Sequence, residues 1–157
     1  MLKKAIQKDI DHWIAKFPKG KQASAVVRAL MIVQEDNDGY LTDDLISDVA
    51  DYLSMPRISV AEVVSFYSLY NTHKVGKYKI YLCTNVSCLL RGSDEIKTHL
   101  ENKLGISAGQ TTADGKFTFN EVECLAACTG APMCQINYDY YEDLTPKRMD
   151  EIIDGLE

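Results

Sequence analysis

Two short cysteine loops are the part of this sequence that could carry out chemistry. The first runs from Cys83 to Cys88 with four residues between its cysteines, and the second runs from Cys124 to Cys128 with three. Each loop follows a run of residues typical of a β-strand, so both loops can converge on one site. Four thiolates that converge in this way can bind a zinc ion or an iron–sulfur cluster. The loops therefore predict a metal centre.

The spacing within each cysteine pair favours a two-iron cluster over zinc. Structural zinc prefers two residues between paired cysteines, because both sulfurs must reach one small ion. The wider gaps here leave room for two irons, and small or polar loop residues such as Asn85, Ser87 and Ala127 let backbone N–H groups approach the sulfurs. A thioredoxin-type dithiol is disfavoured, because the sequence contains no Cys-x-x-Cys. We therefore favour a [2Fe–2S] cluster, and zinc remains the alternative.

Composition narrows the class of protein. The 157 residues suit one domain or two small ones, and a formal net charge of −6 argues against nucleic acid as a partner. No run approaches the roughly 18 apolar residues that a membrane span needs. No apolar signal-peptide core follows Lys3 and Lys4. The sequence thus predicts a cytoplasmic protein, in which patterned cysteines bind metal more often than they form disulfides.

Residues 1–73 are predicted to form a helical bundle. Apolar residues recur at helical spacing in four segments, the second of which covers about 22–35. Thr42 is predicted to cap the third helix. The fourth helix is predicted to begin with a capping box that spans Ser59 and Glu62.

The helical half is predicted to dock against a partner rather than to hold the metal. It contains no cysteine, and Phe66, Tyr67 and Tyr70 form an aromatic stripe with more apolar surface than a solvated helix needs.

Residues 74–157 are predicted to form a small α/β domain. The order β-α-β-β-β-α, with a long first crossover, suggests a thioredoxin-like sheet. We expect an irregularity near the end of the second strand, because Val122 is out of phase with Phe117 and Phe119. The predicted strands cover 77–82, 117–123, 132–137 and 140–141, and the predicted helices run from a Ser93 cap to Gly105 and from Thr145 onward.

The fifth cysteine is predicted to be a core residue. Cys134 follows Pro132 and is in phase with Ile136 in the third strand, so it should face the interior as a small apolar side chain.

Several segments together resemble the thioredoxin-like [2Fe–2S] subunit of respiratory complex I, the 24-kDa type, which is the E subunit of bacterial NADH:quinone oxidoreductase. The resemblance covers roughly residues 22–156. The matching segments are Glu62–Tyr67, Val75–Lys77, Cys83–Arg91, Glu123–Cys128, Ala131–Met133 and Tyr140–Pro146.

The resemblance implies an α+β protein in which an N-terminal helical bundle precedes a thioredoxin-like [2Fe–2S] ferredoxin domain. It implies that the cluster ligands are Cys83 and Cys88 on one iron and Cys124 and Cys128 on the other. It also implies that FMN and NADH are bound by a partner subunit, that this chain alone is not catalytic, and that the complex lies at the inner face of the cell membrane. One departure is Ala126, where relatives usually have glycine, the residue that best tolerates a positive φ.

Two other functions remain compatible with the sequence. One is the equivalent subunit of an NAD-linked hydrogenase or formate dehydrogenase, which would differ in the partner rather than in these motifs. The other is a zinc-stabilised interaction module without a redox role.

Overall fold

The computed structural model describes residues 1–156, which divide into two compact units, Met1–Lys74 and the segment from Val75 onward. None of the helices within these described residues combines the length and the apolar character needed to cross a membrane. The first unit contains helices, and the second contains a five-stranded sheet with three helices. The predicted α+β fold class is therefore confirmed.

The helical unit consists of four α-helices and one 3₁₀ turn. Their apolar faces meet in a core whose fully buried members include Ile10, Leu30, Val49, Leu53 and Val60. The elements are α1 (Lys4–Ile14), the 3₁₀ turn (Gln22–Ala25), α2 (Val26–Asp36), α3 (Asp43–Leu53) and α4 (Arg57–Phe66).

The predicted starts of two helices in this unit have different outcomes. The Thr42 cap is confirmed, because its Oγ1 accepts a hydrogen bond from the Leu45 backbone N–H at 3.3 Å. The Ser59 capping box is wrong, since α4 begins two residues earlier, directly after Pro56. Pro56 is the N-cap, with a non-helical ψ of 135°, and its carbonyl accepts the first hydrogen bonds of the helix from the backbone N–H groups of Ser59 and Val60.

The predicted aromatic stripe is correct for two of its three residues. Phe66 is 81% exposed and Tyr67 is 41% exposed. Tyr70 instead lies in the core of the helical unit, where its hydroxyl donates to the Val27 carbonyl at 2.7 Å. Because α4 ends at Phe66, Tyr70 no longer follows the face of that helix.

The second unit is built on a sheet with the strand order β2-β3-β1-β4-β5. The central strand β1 is parallel to β3 and antiparallel to β4, and the two outer pairs are antiparallel. The two-residue strand β2 was not predicted, because it is too short to show an alternating pattern. The strands are β1 (Tyr78–Cys83), β2 (Gln110–Thr111), β3 (Phe117–Val122), β4 (Cys134–Ile136) and β5 (Asp139–Tyr141).

The expected irregularity at Val122 is wrong. The β1–β3 register continues without a break from the Tyr78–Phe117 pair to the Cys83–Val122 pair. Thr118 is buried, as are its neighbours Phe117 and Phe119, so both faces are covered over the first half of the strand, whereas Glu121 near its end is exposed. A strand that is buried on both faces need not alternate apolar and polar residues, and the phase argument therefore did not apply.

Three α-helices and one 3₁₀ turn accompany the sheet: α5 (Val86–Leu90), α6 (Ser93–Leu104), α7 (Pro146–Asp154) and the 3₁₀ turn Cys128–Gly130. The predicted Ser93 cap is wrong, because Gly92 with φ +98° occupies the cap position and Ser93 is buried as the first helical residue. The Thr145 start is confirmed by a hydrogen bond from the Arg148 N–H to Thr145 Oγ1 at 3.2 Å.

The core of this unit lies between the sheet and helices α6 and α7. It confirms the prediction for Cys134, which is 0% exposed and pairs with Leu82 of β1. Burial raises the pKa of the Cys134 thiol to about 12. The other core residues are Ile80, Leu82, Ile96, Leu100, Phe117, Phe119, Ile136, Leu144, Met149 and Ile153.

Candidate metal centre

Both cysteine loops leave the same edge of the sheet. Cys83 is the last residue of β1 and pairs with Val122, the last residue of the parallel strand β3. Because parallel strands end at the same edge, the chain after Cys83 and the chain after Val122 emerge side by side. The Thr84 N–H extends this pairing by donating to the Val122 carbonyl at 3.0 Å. The topology therefore places the beginnings of the two loops next to each other.

The first loop folds into the short helix α5, which was not predicted. Asn85 precedes it, and Asn85 Oδ1 accepts a hydrogen bond from the Val86 N–H at 2.7 Å. The helix returns Cys88 toward Cys83, and both thiols are buried, with 1% and 2% exposure. They pack together with Ala131 and Met133 in a small apolar cluster.

Burial and neighbouring sulfurs disfavour an uncompensated charge on Cys88. Its pKa is raised to about 11, first by burial and then by a side-chain hydrogen bond with Cys83. Negative charge on Cys83 or Cys128 raises this pKa further, whereas a backbone hydrogen bond from Met133 lowers it. A bound cation reverses this balance, because it stabilises thiolates and releases their protons.

The second loop is more open to solvent. Cys124 and Cys128 are both exposed, and Cys128 is close enough to Cys88 to influence its ionisation. Ala126 has φ +59°, and its backbone N–H donates to Cys124 Sγ at 3.3 Å. The position where relatives usually carry glycine therefore does adopt the left-handed conformation.

Sequence reasoning missed the residues that hold the second loop in place. The Tyr140 hydroxyl donates to the Leu125 carbonyl at 2.9 Å, across 15 positions of sequence. Gly130 lies against the side chain of Glu142, in space that a Cβ at position 130 would occupy. The short strand pattern around Tyr140 predicted its backbone but contained no signal for the target of its hydroxyl.

The donors fit an iron–sulfur cluster. All four candidate ligands are free thiols, and Cys83 and Cys88 lie in the same small buried cluster. Within residues 1–156, no group of three or more His, Cys, Asp or Glu side chains is arranged to hold a metal ion. A two-iron cluster makes a different demand, namely two thiolates at each iron with backbone N–H groups near the sulfurs. The Cys83–Cys88 contact and the Ala126 hydrogen bond meet parts of that demand.

Comparison with known proteins identifies the family. The description "thioredoxin-like [2Fe–2S] ferredoxin" applies to a family that matches residues 10–157. The chain belongs to this family. Membership confirms the predicted [2Fe–2S] cofactor, while the assignment of the individual ligands remains a prediction.

Curated relatives in this family carry the name that the resemblance predicted. The NADH-quinone oxidoreductase E subunit of Rickettsia conorii is 48% identical over 144 residues, which are 92% of this chain and 86% of the relative. The second NADH-quinone oxidoreductase E subunit of Rhizobium meliloti is 40% identical over 151 residues, which are 96% of this chain and 88% of the relative. The predicted resemblance to the E subunit is therefore confirmed.

A solved structure shares the fold over most of the chain. It is the NAD⁺-reducing [NiFe]-hydrogenase in the air-oxidised state, with a TM-score of 0.69 and 24% identity over 81% of this chain. This chain spans only 22% of that hydrogenase chain. At this level of identity the likeness concerns the fold alone.

Proposed function

We propose that this chain is the electron-transfer subunit of an NADH:quinone oxidoreductase and carries one [2Fe–2S] cluster beside the flavin of a partner subunit. The observation that supports this most strongly is the 48% identity to the Rickettsia conorii relative across 92% of the chain. The geometry supports it as well, because parallel strands bring both cysteine pairs to one edge of the sheet. We further propose that the complex lies at the inner face of the cell membrane, with this chain in its peripheral arm.

The proposed ligands are Cys83 and Cys88 for one iron and Cys124 and Cys128 for the other. When bound, the cluster supplies one-electron chemistry. The chain's own residues make the two sides of the site unequal, since the first pair is buried and the second is exposed. We infer that electrons enter and leave through the Cys124–Cys128 side, where the loop itself can touch a partner.

The hydride chemistry belongs to the partner. The sequence contains no glycine-rich dinucleotide fingerprint of the form G-x-G-x-x-G, which would place a pyrophosphate on a helix N-terminus. The net charge of −6 also opposes the binding of a phosphate-rich ligand. NADH and FMN are therefore assigned to the partner subunit, and this chain relays electrons without catalysis of its own.

The helical unit is proposed as the docking element for the flavin-binding subunit. Two large apolar side chains at the end of α4, Phe66 and Tyr67, face solvent, and Leu69 just beyond them is 37% exposed. Ile58, in the first turn of the same helix, is 66% exposed. Exposed apolar side chains grouped in one segment are typical of surfaces that bind another protein.

Reconstitution with the flavin subunit tests the function. Chain purified anaerobically should contain iron and acid-labile sulfide in equal amounts and give an EPR signal when it is reduced. NADH should reduce this cluster only after the flavin subunit is added. A colourless protein with one zinc per chain, or a cluster that NADH reduces in the isolated chain, would contradict the proposal.

A further inference from the structure

The segment 139–144, here called the anchoring segment, is hydrogen-bonded to Leu125 within the second cysteine loop and to Gly130 and Pro132 just after it. It consists of strand β5 and the three residues after it. Because β5 pairs with β4, and β4 pairs with the central strand β1, the anchoring segment is fixed to the sheet. Contacts from the anchoring segment therefore fix the position of the loop relative to the sheet.

Backbone hydrogen bonds anchor the chain just after Cys128. The Asp143 N–H donates to the Gly130 carbonyl at 2.7 Å, and the Leu144 N–H donates to the Pro132 carbonyl at 2.9 Å. The Glu142 side chain fills the space beside Gly130, where any Cβ would overlap it. This part of the chain depends on main-chain groups and on the absence of a side chain at position 130.

One side-chain hydrogen bond links the anchoring segment to the N-terminal part of the loop. The Tyr140 hydroxyl donates to the Leu125 carbonyl at 2.9 Å, one residue after Cys124. The Leu125 side chain packs against the apolar cluster that contains Cys83 and Cys88. Tyr140 thus holds the residue that connects the exposed second pair of cysteines to the buried first pair.

We propose that Tyr140 is a positioning residue for the second cysteine loop. Its hydroxyl fixes the Leu125 carbonyl and so restrains where Cys124 and Cys128 lie relative to Cys83 and Cys88. From Cys124 to Ala127 the described loop has no helix or strand of its own, and a 3₁₀ turn begins only at Cys128, so the shape of the loop depends on such external contacts. The consequence for the cluster rests on the function proposed above, whereas the anchoring of the loop does not.

The test compares Tyr140→Phe with Tyr141→Phe. Both variants remove one hydroxyl from the same strand, but successive side chains of a strand point to opposite faces, and the Tyr141 ring packs against the core of the sheet. Holo-protein is prepared anaerobically, and iron release to a ferrous chelator, the EPR spectrum of the reduced cluster and thermal unfolding are measured. Amide hydrogen exchange of residues 125–128 is followed in the same preparations.

In Tyr140→Phe we expect iron release and amide exchange to become about fivefold faster, the factor that corresponds to one ordinary hydrogen bond. The EPR spectrum should shift, while Tyr141→Phe should match the wild-type protein in all these measurements. Unchanged amide exchange in Tyr140→Phe, or equal acceleration in both variants, would overturn the proposal. A wild-type protein without iron and sulfide would refute the proposed function instead, and amide exchange would still decide the role of Tyr140.

Discussion

The backbone N–H of Ala126 donates to the sulfur of Cys124 at 3.3 Å, from a residue whose φ is +59°. Alanine in this left-handed region is disfavoured by roughly 1–2 kcal/mol, because its Cβ approaches the following carbonyl oxygen. The hydrogen bond to the sulfur therefore comes with local backbone strain. Glycine at the same position would keep the N–H and remove the Cβ.

We predict that Ala126→Gly raises the free energy of unfolding by up to about 1 kcal/mol, since relief of the strained φ outweighs the added flexibility of the unfolded chain. Chemical denaturation of the iron-free protein measures the change. The matched control is Ala127→Gly, because Ala127 has φ −112° and gains nothing from glycine. That variant should be destabilised by about 0.4–1 kcal/mol, because glycine adds conformational freedom to the unfolded chain. The same sign for both changes would contradict the prediction.

The core position of Cys134 predicts a cysteine that is dispensable for the cluster. Cys134→Val should leave the iron content and the EPR signal unchanged and alter stability by less than about 1.5 kcal/mol, as a swap of similar volume in a packed core. Because burial raises its pKa to about 12, the Cys134 thiol should also resist alkylation until the protein unfolds. Mass spectrometry after timed alkylation measures this resistance.

The proposed ligand set predicts that replacing a cysteine of the second loop, unlike replacing Cys134, removes the cluster. Cys128→Ala should lose the normal cluster, because one iron would keep only three protein and sulfide ligands and become open to solvent. Iron and sulfide analysis of this variant beside Cys134→Val gives a direct comparison. A cluster that survives in Cys128→Ala but is lost in Cys134→Val would show that Cys134, and not Cys128, is the ligand.

The exposed end of α4 predicts a loss of docking without a loss of the cofactor. Phe66→Ala should weaken binding to the flavin subunit about tenfold, the effect of truncating one well-buried aromatic contact in an interface. Titration of the holo-protein with that subunit measures the affinity, and the absorbance of the cluster should not change. Phe17→Ala is the control, since Phe17 lies in the same unit, beyond the end of α1, and is 37% exposed. Equal affinity of the two variants would show that Phe66 lies outside the interface.

The charge cluster between α6 and α7 predicts a pH-dependent part of the stability. Asp150 accepts from Lys103 at 2.9 Å and is 2.8 Å from His99 Nε2, and these contacts lower the pKa of its carboxyl below 3.8. A lowered pKa stabilises the folded state above the unfolded value of 3.8, and this stability is lost as the pH falls through the folded value.

Asp150→Asn should therefore lower the melting temperature near neutral pH and have no effect well below pH 3.8. The neighbouring change Glu151→Gln is the control, because Glu151 pairs with Lys147 only at 4.0 Å. Thermal unfolding across the acid range measures both variants. A deficit in Asp150→Asn that stays constant with pH would mean that the carboxylate acts through packing rather than through its charge.

Long apolar patterns and cysteine spacing predicted most of this fold. The wrong predictions of helix starts come from positions where two local sequence signals compete. The Ser59–Glu62 pair has the form of a capping box, yet α4 begins two residues earlier, directly after Pro56. Gly92 can adopt a positive φ that serine tolerates poorly, so it takes the cap position that was predicted for Ser93. In both cases the backbone preference of a proline or glycine outweighed a side-chain signal.

Sequence spacing singles out the proposed ligands of the site but not the residues that support them. The sequence alone shows the spacing of Cys83, Cys88, Cys124 and Cys128. The hydrogen bond from Tyr140 to Leu125, in contrast, depends on how β5 is placed beside the second loop. Likewise, Gly130 is an ordinary loop glycine in sequence until Glu142 is seen to occupy its missing side-chain space. Such residues are defined by contacts across the fold and leave no periodic pattern.

The parallel pairing of β1 with β3 has a consequence for the order of events during biosynthesis. The Cys83–Val122 register joins residues on either side of a long crossover, and parallel pairing of this kind forms late because the intervening chain must close first. A nascent chain that has emerged only as far as α6 presents one cysteine pair without its counterpart. With Cys124 and Cys128 as the proposed ligands of the second iron, we expect the cluster to assemble only after the chain has been synthesised through Cys128, so that delivery of the cofactor follows synthesis of this unit.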